Sequence, residues 1–287
     1  ATVEFVSVDK LRGIEVVHSI TLDNNSDVLS AHTVLTNLGD SPLSVNFCAA
    51  PTFQLPDSVS KIVSFEGRWS KEFQRQSVDL VLGSFVRENR KGKTSHDVFP
   101  GLLVHNENAG EQHGECYGFH LGWSGNNKLR AELLAEGRRY VQMGELLLPG
   151  ELTLAKGQTY QSPSIYGSFS SEGFSALSRN FHRFVKANLL SQAQREKARP
   201  VHYNTWEGIY FDHDVDTLKQ LADKVAPLGI ERFVLDDGWF KGRRGDNAGL
   251  GDWTVDYKIY PDGLSPVIDH VNSLGMEFGI WFEPEMV

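Results

Sequence analysis

Phe233-Val234-Leu235 runs directly into Asp236-Asp237-Gly238-Trp239-Phe240, and no other stretch constrains the fold so tightly. Three consecutive apolar residues read as a buried strand. Two carboxylates cannot be carried into an apolar interior without partners, so the strand must deliver them to its mouth. Gly238 lets the backbone turn sharply there, and Trp239 sets a flat apolar face beside hydrogen-bond acceptors. That surface suits a sugar, which carries a rim of hydroxyls around apolar C–H faces. The bland alternative is a pair of acids that merely caps a loop.

Around this strand the chain alternates strand and helix. Val201 to Asn204 reads as strand and Asp214 to Val225 as helix, with Asp212 or Asp214 as N-cap. Arg232 to Leu235 is the next strand; a long loop (238–261) precedes a helix from Leu264 to Leu274 that Gly275 closes. Glu277 to Phe282 is the third strand. A βαβαβ order predicts a parallel sheet with right-handed crossovers. Polar and aromatic residues gather where each strand ends: Trp206 and Glu207, Asp236 and Asp237, then Trp281, Glu283 and Glu285. That is the arrangement of a TIM (β/α)8 barrel, and no Gly-x-Gly-x-x-Gly supports a dinucleotide fold instead. A whole barrel takes about 250 residues. Residues 200–287 supply only its first three strands, so the chain is expected to be the N-terminal part of a longer protein.

Residues 1–172 follow a different grammar. Short alternating runs recur between Gly, Pro, Asn and Asp: Val16 to Leu22, Leu29 to Leu35, Leu43 to Phe47, Lys61 to Phe65, Val78 to Phe85 and five more as far as Leu154. Asp23-Asn24-Asn25-Ser26 and Asn37-Leu38-Gly39-Asp40 are expected hairpin turns. About ten strands at this spacing predict a sandwich or large double sheet. Apolar steps of three and four at Phe174, Leu177, Phe181, Phe184 and Val185 then mark an amphipathic helix. The helix and the polar stretch behind it (173–199) form the expected linker.

Composition closes off several function classes. The net charge is −9 and no run of Lys or Arg interrupts it, which argues against a nucleic-acid partner. No apolar run approaches the roughly 18 residues of a membrane span, and the first ten residues alternate like a strand rather than a leader. Cys48 and Cys116 are expected as free, buried thiols of a reducing, cytoplasmic compartment. His213-Asp214-Val215-Asp216 has the look of metal spacing, but acids at a helix start are better explained as caps. No metal is therefore expected. His202, Trp69 and Trp123 are expected in the core, with Trp69 and Trp123 open to a neighbouring subunit's site if exposed.

Several stretches together resemble glycoside hydrolase family 36, the α-galactosidases. In the barrel portion they are Arg199-Pro200-Val201-His202-Tyr203-Asn204-Thr205-Trp206-Glu207, the acidic strand end, Leu250-Gly251-Asp252-Trp253, and Met276 through Val287. In the β region they are Glu66-Gly67-Arg68-Trp69, Gly114 through Phe119, and Leu121 through Asn126. The resemblance implies a multidomain β plus α/β architecture, an N-terminal β-supersandwich followed by the incomplete barrel. It further implies a cofactor-free retaining hydrolase of terminal α-galactosides, often a homotetramer. Carried over by position, the substrate contacts fall on Trp206, Asp236, Asp237 and Trp281. The family's nucleophile and acid/base fall on no residue of this chain.

Spacing alone would permit Asp237 and Glu283 as the two carboxylates of a retaining glycosidase, which stand about 5–5.5 Å apart. The resemblance makes Asp237 a sugar contact instead, and Glu283 and Glu285 are read as scaffolding at strand ends. Asp252-Trp253 is read as a pocket cover or a structural anchor. Two further functions stay open: a non-catalytic galactoside-binding or assembly protein, and a transglycosylating relative of the raffinose-synthase type.

Overall fold

Alternation of polar and apolar side chains becomes antiparallel sheet throughout the first half of the computed structural model. The structure describes residues 1–94 and 96–284, and the chain divides into two compact units, Ala1–Ser191 and Gln192–Val287. In the first, β1 (Thr2–Asp9), β2 (Ile14–Asp23) and β3 (Val28–Asn37) follow one another as hairpins. Asp23 closes the second turn where the sequence predicts it. Its Oδ1 accepts the Asn25 N–H at 3.0 Å and its Oδ2 the Ser26 hydroxyl at 2.8 Å, the local bonding that makes Asp a turn residue.

Asn37-Leu38-Gly39-Asp40 is not the hairpin turn expected of it. Asn37 is buried, and its amide donates to the carbonyls of Ser41 and Leu154, both at 2.8 Å. It fastens two distant segments instead of reversing one strand onto the next. The strands that follow are β4 (Leu43–Ser44), β5 (Phe53–Leu55), β6 (Val59–Arg68), β7 (Lys71–Asp79), β8 (Gly83–Asn89), β9 (Gly101–Asn106) and β10 (Cys116–Leu121). After them come β11 (Asn127–Leu133), β12 (Arg139–Glu145), β13 (Thr153–Leu154), β14 (Thr159–Gln161) and β15 (Ile165–Ser170). Val78 to Phe85, expected as one strand, is the end of β7 and the start of β8. Leu80 turns inward, Val81 and Leu82 stay exposed, and Gly83 takes φ 110° to restart the chain.

One nine-stranded sheet runs β1-β2-β3-β15-β10-β9-β6-β7 with β14 on β3, and a second runs β11-β12-β5. Their facing side chains make the main core, for example Ile62, Leu102, Phe119 and Leu121 from the first with Leu129, Val141 and Met143 from the second. The other face of β10 is covered by α1 (Phe174–Asn188), through Cys116, Phe174 and Leu177. Gly118 marks the closest approach: a Cβ there would sit 2.9 Å from the Phe181 ring. Being covered on both sides explains why β10 is buried along nearly its whole length.

Two expectations about aromatic residues fail here. Trp69 is 78% exposed at the β6–β7 turn and Trp123 is 39% exposed; both lie beyond the ends of their strands. Cys116 is buried, Cys48 half-buried, and both are free. Burial pushes each thiol up to about 11, which disfavours the reactive thiolate.

The second unit contains α2 (Gln192–Glu196), β16 (His202–Asn204), α3 (Trp206–Ile209), α4 (Val215–Val225), β17 (Arg232–Leu235), α5 (Ser265–Ser273) and β18 (Glu277–Ile280). The strands form a parallel sheet, β16-β17-β18, in register Asn204 with Val234 and Leu235 with Ile280. Phe233 and Leu235 alternate onto the face that Leu218, Ala222, Val267 and Val271 of α4 and α5 cover. Asp214 caps α4 as expected, its Oδ2 accepting the Thr217 N–H at 2.8 Å. His202, expected in the core, is exposed, since it pairs with Arg232 on the sheet face opposite the one that Phe233 and Leu235 present to the helices. The third strand stops at Ile280 rather than Phe282, which frees Trp281 to turn. Glu285, read as a strand-end acid, lies outside the described residues. Among the described residues no helix is long and apolar enough to cross a membrane.

Candidate functional site

Parallel pairing brings all four candidate sugar contacts to the C-terminal end of the three-stranded sheet. Trp206 lies two residues beyond β16, Asp236 and Asp237 directly follow β17, and Trp281 directly follows β18. The strand ends are level because β16, β17 and β18 share one register. Hydrogen bonds then join the candidates. Asn204 donates through Nδ2 to Asp236 Oδ2 at 2.5 Å, while its Oδ1 accepts the backbone N–H of Trp206 at 2.8 Å. One asparagine thus fixes the tryptophan and the acid together. On the other side the Trp281 N–H donates to the Leu235 carbonyl at 2.9 Å, and the Trp239 indole N–H donates to the Trp281 carbonyl at 3.0 Å.

The two carboxylates are buried, Asp236 at 8% exposure and Asp237 at 6%, and each is held differently. Asp236 Oδ1 accepts the Asp237 backbone N–H at 2.6 Å, and the Asp236 N–H donates to the hydroxyl of fully buried Thr205 at 3.0 Å. Asp237 is chelated by Arg243: Nε lies 3.0 and 3.2 Å from its two oxygens, and Nη2 lies 2.8 Å from Oδ2. The carboxylate also holds the guanidinium firmly in its charged form. A carboxylate offers about four acceptor positions, so both acids keep lone pairs for incoming hydroxyls. Neither is a free anion. An anion whose charge is neutralised and whose rotation is locked by a bidentate arginine is a poor nucleophile and a good, directional acceptor.

The walls are aromatic. Trp206 is half-buried and meets Phe211 edge-on at 5.0 Å and Tyr210 at 5.1 Å. Tyr210, at φ 46°, is a non-glycine residue in the left-handed region and ends α3, whose turn sets where Trp206 stands. Such backbone strain collects where a side chain must be held in place. Trp281 packs against Trp253 at 5.9 Å, and Trp253 against Phe240 at 4.8 Å and Phe282 at 5.3 Å. Of the two readings of Asp252-Trp253, these contacts favour the anchor. They also order the long loop, together with the Arg244–Asp256 pair at 3.1 Å. Burial raises the Asp256 carboxyl, but the Lys258 N–H and Arg244 outweigh it and leave its pKa low.

Asn204, Thr205 and Arg243 hold the candidate contacts in place, and sequence reasoning passed over all three. Asn204 and Thr205 stand inside a stretch read mainly for its tryptophan. Arg243 belongs to an arginine pair in a loop that otherwise carried no ligand signal. Glu283 is half-buried and its charge acts on Arg243. Among the described residues no three His, Cys, Asp or Glu side chains are grouped to hold a metal ion.

Comparison with known proteins places these features in a family. Residues 1–155 match the model of the glycosyl hydrolase family 36 N-terminal domain, and residues 159–287 match the model named melibiase. The chain is 46% identical over its full length to an α-galactosidase of Escherichia coli, of which it covers 40%. It is 34% identical to α-galactosidase AgaA of Geobacillus stearothermophilus, covering 39% of that protein. A crystal structure of an AgaA variant in complex with stachyose superposes with a TM-score of 0.92 over 99% of this chain and 40% of that one. The α-galactosidase of Lactobacillus brevis superposes at 0.93, with 31% identity, over 100% of this chain and 38% of its own. The chain therefore spans about 40% of the length of the curated relatives it matches.

Proposed function

The chain belongs to glycosyl hydrolase family 36, and on that premise we propose that it is part of a retaining α-galactosidase and builds the galactose clamp of that enzyme. Asp236 and Asp237 accept sugar hydroxyls, while Trp206 and Trp281 form the walls that pack on the sugar's C–H faces. The observation that carries this reading is the Arg243 chelation of Asp237. It makes the acid pair at the strand mouth an orienting device. The reaction itself needs an aspartate to attack the anomeric carbon and a second to protonate the leaving oxygen and then activate water. Both come from outside these 287 residues.

The architecture belongs to the same proposal: a β-supersandwich at 1–172, a helical linker at 173–199 and the first three strands of a (β/α)8 barrel from residue 200. So do a homotetrameric assembly, a cytoplasmic location and catalysis without a cofactor. The test uses two proteins, the 287-residue chain and the product of the longest reading frame that contains it. The longer protein should hydrolyse nitrophenyl α-galactoside and the chain alone should not. Turnover by the chain alone would mean that its own carboxylates cut the bond. No turnover by either, with galactose still bound, would favour the non-catalytic galactoside-binding protein.

A further inference from the structure

We propose that Arg243 is a positioning residue for sugar recognition, fixing through one guanidinium both the Asp237 acceptor and the aromatic support of the Trp206 wall. The inference rests on the clamp reading above and deepens it. Arg243 does more than neutralise a charge. Its Nε and Nη2 engage both oxygens of Asp237, and its Nη1 donates to the Ala248 carbonyl at 3.2 Å. Its side chain is only 7% exposed. The same group lies over the Phe211 ring at 5.3 Å and over the Phe240 ring at 6.0 Å, and Phe211 is the ring that Trp206 meets edge-on. The wall and the floor of the site thus share one planar cation. Asp237 first, and then the charges of Asp246 and Glu283, favour its charged form.

A buried ion pair is weak evidence for stability, since desolvation of both charges offsets much of their attraction. What this pair supplies is geometry. The fork fixes the Asp237 carboxylate plane, so its remaining lone pairs face a single direction. The guanidinium's position over Phe211 supports the ring against which Trp206 rests. Lysine would keep the charge and lose both fork and plane.

The test crosses protein variants with substrate deletions in the full-length enzyme. Nitrophenyl α-galactoside and its 2-, 3-, 4- and 6-deoxy analogues are assayed with wild type, Arg243→Lys and Asp237→Asn. For the parent substrate kcat/KM should fall about tenfold or more in both variants, the worth of a hydrogen bond to a charged group. On one deoxy analogue, the same for both, most of that loss should vanish because the hydroxyl that Asp237 receives is gone. An equal loss on every analogue would show a merely structural arginine and overturn the proposal, as would an unchanged Arg243→Lys. Should Arg243→Lys not fold, Asp237→Asn and Phe211→Leu are combined. Their losses should be non-additive if one guanidinium links them, and additive losses overturn it. A wild-type enzyme inactive on the parent galactoside would instead count against the proposed function itself.

Discussion

The indole N–H of Trp239 donates to the backbone carbonyl of Trp281 at 3.0 Å, so the loop after β17 is bolted to the end of β18. Trp239 is 3% exposed and packs edge-on against Phe240 and Phe282. Replacing it with phenylalanine keeps most of the packing but leaves a carbonyl without its donor. That change should destabilise the protein by about 1–3 kcal/mol. Galactoside affinity should fall as well, because Trp281 loses its tether. Chemical denaturation and a KM measurement on the full-length enzyme check both effects, and a Trp239→Phe protein of wild-type stability would count against the tether.

Asn204 holds Trp206 and Asp236 with the two ends of one amide. Asn204→Asp places a second carboxylate where the Nδ2 donor stood. Two such groups in contact do not both ionise easily, and one is forced to take up a proton. At pH 7 galactoside affinity should drop about tenfold or more. Part of that loss should return on acidification, a recovery the wild type lacks. A variant with an unchanged pH profile would show that the two side chains do not meet.

His213 is buried at 7% exposure, with its Nδ1 2.7 Å from the Tyr260 hydroxyl. Burial first, and then the charge of Arg244, holds its pKa below the ordinary 6.5. The folded protein therefore keeps this imidazole neutral while the unfolded chain titrates normally. Below pH 6.5 the unfolded state binds more protons, so stability is complete above that value and declines as pH falls toward the folded pKa. His213→Gln should flatten that part of the decline. Denaturation midpoints measured from pH 7.5 to 5 give the difference directly; parallel curves for the two proteins would rule the histidine out.

Gly238, immediately after the acid pair, adopts φ 111°, and a Cβ on it would lie 2.9 Å from His213 Nε2. Gly238→Ala should thus cost about 1–3 kcal/mol, the usual range for a side chain in a sparsely populated backbone region. Adding His213→Ala should recover the steric part and leave the backbone part. If the single substitution is neutral by thermal denaturation, the turn after Asp237 does not need glycine.

Much of the second unit was legible because its signals are local. The apolar run before Asp236, the Asp214 cap and the βαβαβ order each depend on a few neighbouring residues, and the strand limits Arg232–Leu235 follow from them directly. The same locality misled where two signals coincide. Val78 to Phe85 carries continuous apolar character, yet Gly83 breaks it into two strands. The three-residue strands β5 and β14 are too short to show any period.

The amino-acid sequence by itself determined that two carboxylates must stand at a strand mouth, since no apolar interior could hold them, and that Trp206 and Trp281 lie toward the C-terminal ends of the flanking strands. Tertiary structure alone decided what those carboxylates can do. Asn204 reaches Asp236 across 32 positions and Arg243 reaches Asp237 through the folding back of a long loop. Which donors fill a carboxylate depends on closure through space rather than on spacing along the chain. Asp236 and Asp237 look alike in sequence; in the folded protein an amide holds one and a guanidinium fork holds the other.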